Sequence, residues 1–284
     1  MIKSKKKYIY TILLSLIMIA CSTEKNTAIN RSYHGMTAHY NGYFNANELI
    51  RQSMDTYKAT RIEDYYSLLP VNPVPNELEV VGMYPAIDTA ITKCKKVIRN
   101  HSMPSNDRPH LKKDEHNKWI DENWTTIGIA SFYRHDYEGA MKSFNYVRKF
   151  YSNDPSLYVG ELWMAKTNIA TGKLTDAKFN LDTLDKALND EMANKPGFIK
   201  SFSGLFKKDD NAIAKFPKKI KADFEKTKAE LSLIKGEKEE AIAFLEKALS
   251  YSKDGKEKAR LHFVLGQLYA DKKEDSKAIE HYTK

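Results

Sequence analysis

Several common chemical signatures are missing from this chain of 284 residues. It has no Gly-rich phosphate loop, no paired-carboxylate motif, no metal-ligand cluster and no nucleophile elbow. Nothing brings an acid, a base or a nucleophile together on a reacting atom, so the sequence describes a protein that is not an enzyme and needs no cofactor, metal or small-molecule substrate. Lys and Arg do not gather on one stripe, which argues against a nucleic-acid face. The formal charge of +9 overstates basicity, because Lys3, Lys5, Lys6 and Lys7 lie in a segment expected to be removed, leaving +5. Strand signals are few: Leu78–Met83 is the only β-like stretch, too isolated to build a sheet. Glycine and proline are sparse, at 12 and 9, while Lys, Glu, Ala and Leu are plentiful, a balance that favours helix. A hydrophobic fraction of 42% suffices for a sizeable core in one elongated domain or two compact ones.

Long apolar runs are also missing. Residues 1–20 carry a basic start and an apolar run from Tyr8 to Ala20, which as a helix rises only about 20 Å against a hydrocarbon core of ~30 Å. This is the pattern of a secretory signal rather than a membrane span. It ends in Met18-Ile19-Ala20-Cys21, which resembles a bacterial lipobox with Met18 where leucine is usual; an ordinary signal peptide with a chance cysteine is the competing reading. In the lipobox reading Cys21 is lipidated and becomes the first mature residue. Each buried CH₂ adds about 0.8 kcal/mol of membrane affinity, so several acyl chains anchor permanently. Ser22 rather than Asp after the cysteine suggests the outer membrane, and the lack of a following acidic run suggests a periplasm-facing protein. Cys94 is then left without an intramolecular partner. It shares a helical stripe with Ile87, Ile91 and Ile98, which predicts a buried thiol.

Residues 21–30 form a polar tether, and residues 31–116 a degenerate N-terminal helical region. Within it, residues 31–60 suggest a helical hairpin. Tyr33, Met36, Tyr40, Tyr43 and Phe44 fall at helical spacing as the packing face of a degenerate first repeat, with a turn at Asn45-Ala46-Asn47. A docking surface is the other reading of the same aromatics. The run Leu68-Leu69-Pro70-Val71-Asn72-Pro73-Val74-Pro75 holds three prolines and predicts an extended crossing segment. Helix returns over 84–101, with Pro85 in its first turn. The stretch from His101 to His110 is a loop, and His101, His110 and His116 match no metal-binding spacing.

Residues 117–284 contain repeats. In Trp119–Pro155, the residues Trp124, Ile127, Gly128, Ala140 and Phe144 fall at the offsets of a tetratricopeptide repeat, a helix–turn–helix unit of roughly 34 residues. Second-helix alanines recur at Ala140, Ala177, Ala241 and Ala278. Small first-helix residues, Gly128, Ala165, Ala229 and Gly266, precede them by 12 positions each; apolar residues Phe144, Leu181, Leu245 and Tyr282 follow by 4. Such hairpins shield their apolar sides only by stacking, so the fold class is all-α: a tetratricopeptide-repeat superhelix of antiparallel helix pairs. The gap of 64 between Ala177 and Ala241 holds an insert at about 192–216. There Phe198, Phe202, Leu205 and Phe206 share one helical face and Lys207 and Lys208 follow, a basic amphipathic piece that is either a cover for the solenoid core or a rest for a membrane or partner. Pro217 opens a helix over Lys218–Lys235. The last helix, from Asp275, would leave Ile279 and Tyr282 without the polar capping helix that solenoids need, so we expect a continuing natural chain or a partner there.

Four blocks carry a family resemblance: NTAINRSYHGMTAHYNGYFNANELI after the cysteine, EDYYSLLPV, NKWIDENWTTIGIASFYRHDYEGAMKSFNYV and KEKARLHFVLGQLY. Together they resemble the PorW/SprE lipoproteins of the type IX secretion and gliding-motility apparatus of Bacteroidota. The resemblance implies a longer protein with further repeats, no catalytic residues, and an outer-membrane lipoprotein facing the periplasm. Its implied role is a non-enzymatic scaffold that links periplasmic ring components to the outer-membrane translocon. The alternative is a tetratricopeptide lipoprotein of an outer-membrane protein assembly complex. In either case the partners are protein subunits, and the groove expected to hold them is lined by first-helix positions Thr125, Ile129, Phe132, Leu162, Lys166, Ile169, Lys226, Glu230, Phe263 and Gln267. Ile129, Phe132 and Phe263 have a second reading, as packing against the next repeat.

Overall fold

A computed structural model describes residues 26–104, 115–193 and 215–284. Cys21 and the expected signal segment, His110, and Phe198, Phe202, Leu205 and Phe206 of the expected insert lie outside the described residues. Within them the regular structure is all helical and forms no sheet; the sole β feature is an isolated bridge between Pro104 and Glu115. No described helix is long and apolar enough to cross a membrane.

Four stacked helix pairs make the body of the molecule: α4 (Ile120–Tyr133) with α5 (Tyr137–Phe150), α6 (Ser156–Ala170) with α7 (Leu174–Ala193), α8 (Lys221–Lys235) with α9 (Lys238–Tyr251), and α10 (Gly255–Asp271) with α11 (Asp275–Tyr282). The twelve-plus-four spacing is built as close packing. A Cβ on Gly128 would stand 2.3 Å from the Phe144 ring, and one on Gly266 would stand 2.6 Å from the Tyr282 ring. Glycine therefore faces an aromatic residue in these two pairs. In the other two, Ala165 shares a core with Leu181, and Ala229 with Leu245. The larger first-helix residue is matched by the smaller second-helix one, as interiors at crystal-like density require.

All four pairs turn in the same way. His135, Gly172, Gly236 and Lys273 each have φ between 61° and 80° and each lie five residues before the repeat alanine. Around them the chain closes with the two hydrogen bonds of a Schellman cap. In the first pair, Asp136 N–H reaches Ser131 C=O at 2.9 Å and His135 N–H reaches Phe132 C=O at 3.0 Å; the same two bonds recur in the other three. The turn is thus specified by backbone geometry, and glycine fills it in only two of the four cases.

The N-terminal part is packed against α4. Here two expectations are corrected. No turn occurs at Asn45-Ala46-Asn47: α1 (Ala28–Thr37), a π-helical segment (Ala38–Phe44) and α2 (Asn45–Thr60) run on with right-handed helical dihedrals at each junction. The packing face is also reversed. His34, Ala38, Gly42 and Ala46 face inward, whereas Tyr33, Met36, Tyr40 and Phe44 are exposed; of the five expected, Tyr43 alone is half-buried, its ring 5.5 Å from that of Trp119. Polar side chains fix that orientation. Asn117 Nδ2 donates to the carbonyls of His34 at 3.1 Å and His101 at 2.8 Å, and Asn123 Nδ2 donates to the Ala38 carbonyl at 3.2 Å. Gly42 admits this approach, since a Cβ there would lie 2.2 Å from Asn123 Oδ1. Leu78–Met83 is likewise corrected from β-like: Glu79–Met83 is a 3₁₀ turn leading into α3 (Tyr84–His101). Cys94 on α3 is fully buried, as the stripe with Ile87 predicts, and burial pushes its thiol up to about 12.

Candidate functional site

The face built by the first helices is where a repeat scaffold of this kind would hold a peptide, and its α8–α10 end is already occupied. The proline-rich segment between α2 and the 3₁₀ turn crosses to the far end of the stack. Prolines and the residues before them favour extended backbone, whose N–H and C=O groups then need partners outside the segment. First-helix side chains supply them. On α10, Gln267 donates to the carbonyls of Tyr65 (3.2 Å) and Ser67 (2.7 Å) and accepts from the Leu69 N–H (3.0 Å). Two turns earlier, Arg260 donates twice to the Pro70 carbonyl, at 2.8 and 3.2 Å, and pairs with Glu63 at 2.6 Å. Glu230 on α8 accepts from Asn72 Nδ2 at 2.9 Å, and the His135 ring meets the Pro75 carbonyl at 2.9 Å.

Apolar contacts follow the same path. Leu69 and Val71 are buried in the core formed by α8 to α11, and the Tyr65 ring meets Phe263 edge-on at 5.3 Å. The extended crossing segment expected from the prolines is therefore a strap that lies in the groove as a ligand would. Three of the ten groove positions, Glu230, Phe263 and Gln267, hold it.

The other seven serve three different purposes. Phe132 and Leu162 are interior and present no surface; Phe132 packs on Trp163 and Tyr137. Ile169 is packed at the edge of the α6–α7 core. Lys166 and Lys226 form a ladder of charges across three first helices. Lys166 reaches Asp223 at 2.5 Å, and Lys226 reaches Asp223 at 3.4 Å and Glu257 at 2.5 Å. The two ammonium groups hold the Asp223 carboxyl well below the usual carboxylate range, against a burial effect of opposite sign.

Thr125 and Ile129 line a small open cavity of about 140 Å³ at the α4 end, together with Tyr43, Asn47, Glu122 and Lys219. Glu122 has a buried Oε2 with no hydrogen-bond partner. Burial, and then the neighbouring Asp121, push its carboxyl up to about 9. Among the described residues no group of three or more His, Cys, Asp or Glu is placed to hold a metal ion. His101, one of the histidines considered, instead meets the His34 ring nitrogen at 2.8 Å.

Comparison with family models agrees with the repeat architecture. A family model described as Tetratricopeptide repeat matches residues 227–254, which span most of α8 and all of α9. Among solved structures, the chain is similar to one titled "Crystal structure of MamA", with 14% identity, 74% of this chain and 93% of that chain covered, and a TM-score of 0.42. No curated protein matches. The chain carries a tetratricopeptide-repeat domain, an α-solenoid module for protein–protein interaction.

Proposed function

We propose that this protein is a non-enzymatic scaffold, anchored to the outer membrane through a lipid on Cys21 and facing the periplasm. In this reading it links ring components of a type IX secretion or gliding machine to the outer-membrane translocon. The observation that carries the reading is a match between the resembling blocks and the internal contacts. The Tyr33–Phe44 block packs on the block beginning at Asn117 through His34, Ala38 and Gly42. The EDYYSLLPV block, Glu63–Val71, is held by Arg260 and Gln267 of the KEKARLHFVLGQLY block. Two of these blocks, Tyr33–Phe44 and Glu63–Val71, lie outside the repeats, and each is gripped by a repeat block of the same resemblance.

A second reading, a tetratricopeptide lipoprotein of an outer-membrane protein assembly complex, is supported by the repeat at 227–254, which suits scaffolds of either kind. Under both readings the partner meets the α4–α6 end of the first-helix face, at Thr125, Ile129 and the cavity beside Glu122, because the strap fills the α8–α10 end. Crosslinking in the native envelope separates them. Secretion-ring or translocon subunits among the captured chains support the first reading, barrel-assembly subunits support the second, and capture of neither overturns both.

A further inference from the structure

Ile29, Tyr33, Met36, Tyr40 and Phe44 are spaced by four, three, four and four residues and are each between 52 and 80% exposed. They form one apolar stripe along α1 and the π-helical segment. A contiguous exposed patch of this kind marks an interaction surface. The helix cannot roll to hide it. The opposite side is held by Asn117 and Asn123 on the carbonyls of His34 and Ala38, and by the contact of Gly42 with Asn123.

We infer that this stripe rests on a lipid surface. Three observations favour a membrane as the occupant. The stripe is free of repelling charge: from Asn26 to Asn47 there is no Asp or Glu, while Arg31 is exposed beside it. Its composition, two tyrosines with Phe, Met and Ile, suits a boundary where rings are buried and hydroxyl groups stay wet. Its place in the chain is also restrictive. Cys21 is six positions before Thr27, the N-cap of α1, and an extended chain of that length spans at most roughly 20 Å. An acyl group on Cys21 would hold α1 within that distance of the bilayer. The choice of lipid as occupant therefore rests in part on the anchor proposed above. The stripe then acts as a second attachment, which fixes how the solenoid stands on the membrane where a lone flexible tether would leave it free to tumble.

The test uses Cys21→Ser protein, which carries no acyl chain, floated with vesicles of phosphatidylethanolamine and phosphatidylglycerol. We expect it to co-float, and the triple variant Met36→Ser/Tyr40→Ser/Phe44→Ser to lose about tenfold or more of the bound fraction with unchanged circular dichroism. Met36→Asp alone, which leaves every buried contact in place, should weaken binding in the same direction. The inference is overturned if the Cys21→Ser protein stays with the soluble fraction, or if both variants float as it does. Loss of protein crosslinks in the triple variant without any loss of vesicle binding overturns it as well and assigns the stripe to a protein partner. Palmitate labelling of the wild type tests the anchor separately: an unlabelled protein that still floats through the stripe removes the lipid on Cys21 and leaves the stripe supported.

Discussion

Gln267 accepts a hydrogen bond from the Leu69 N–H at 3.0 Å across 198 positions of sequence. Its amide also donates to two carbonyls of the same segment, so one side chain satisfies three backbone groups of the strap. Gln267→Ala leaves those groups to find water or remain unpaired. We expect a stability loss of about 1–3 kcal/mol in denaturant unfolding, with faster hydrogen exchange confined first to the Leu69 amide and its neighbours.

Gly128 and Gly266 occupy the same register but should respond differently to a methyl group. Gly128→Ala drives a Cβ against Phe144, which is fully buried and cannot yield. We expect a cost of about 1–3 kcal/mol, as for other overpacked cores. Gly266→Ala meets Tyr282, which is exposed, so the ring can swing aside. That variant should cost less than about 1 kcal/mol. Thermal unfolding of the two side by side checks the contrast.

The repeated left-handed turn makes a prediction of opposite sign. Lys273 holds φ at 61°, a conformation that costs a residue with a Cβ about 1 kcal/mol. Lys273→Gly should therefore raise stability by roughly 0.5–1 kcal/mol. His135→Gly should not show the same gain, because the His135 ring also reaches the Pro75 carbonyl. The comparison of melting temperatures between the two variants is the measurement.

Glu122 sets a pH dependence. Its folded carboxyl is pushed up to about 9 by burial and by Asp121, while in the unfolded chain it titrates near 4.3. The folded state therefore binds the extra proton, and stability falls as pH rises from about 4.3 toward 9. Glu122→Gln keeps a neutral group of the same shape. It should flatten this slope and raise stability at pH 8 by on the order of 1–3 kcal/mol. A wild type whose stability is level across that range, with no gain from Glu122→Gln, would refute the assignment.

Much of the architecture was legible because packing leaves a periodic trace. The alignment of Gly128 with Phe144 and of Ala229 with Leu245 records helix crossings, so four copies of one spacing predict four pairs. Two of the four turns were marked by Gly172 and Gly236; His135 and Lys273 were not, because a Schellman cap tolerates other residues at modest cost. The N-terminal helix was read from the wrong side. Tyr33, Met36, Tyr40 and Phe44 are periodic whether they face inward or outward, and the small residues Ala38, Gly42 and Ala46 on the opposite stripe were the available signal. The groove residues split for a similar reason. First-helix spacing places Glu230, Phe263 and Gln267 on one face, but it cannot say that the ligand there is the chain's own strap. The contacts of Gln267 are to backbone atoms, which leave no pattern in side-chain identity.

The central claim is that the strap between α2 and α3 lies in the first-helix groove and closes its α8–α10 end. Spin labels at Tyr66→Cys, at the exposed tip of the strap, and Lys238→Cys, at the start of α9, both border one surface pocket, and replacing both native cysteines, as Cys21→Ser and Cys94→Ala, leaves only the two labels. Pulsed electron–electron resonance should give a single narrow distribution at short distance. A broad distribution, or one displaced to long distance in the folded protein, would mean that the strap is not seated and the groove is open.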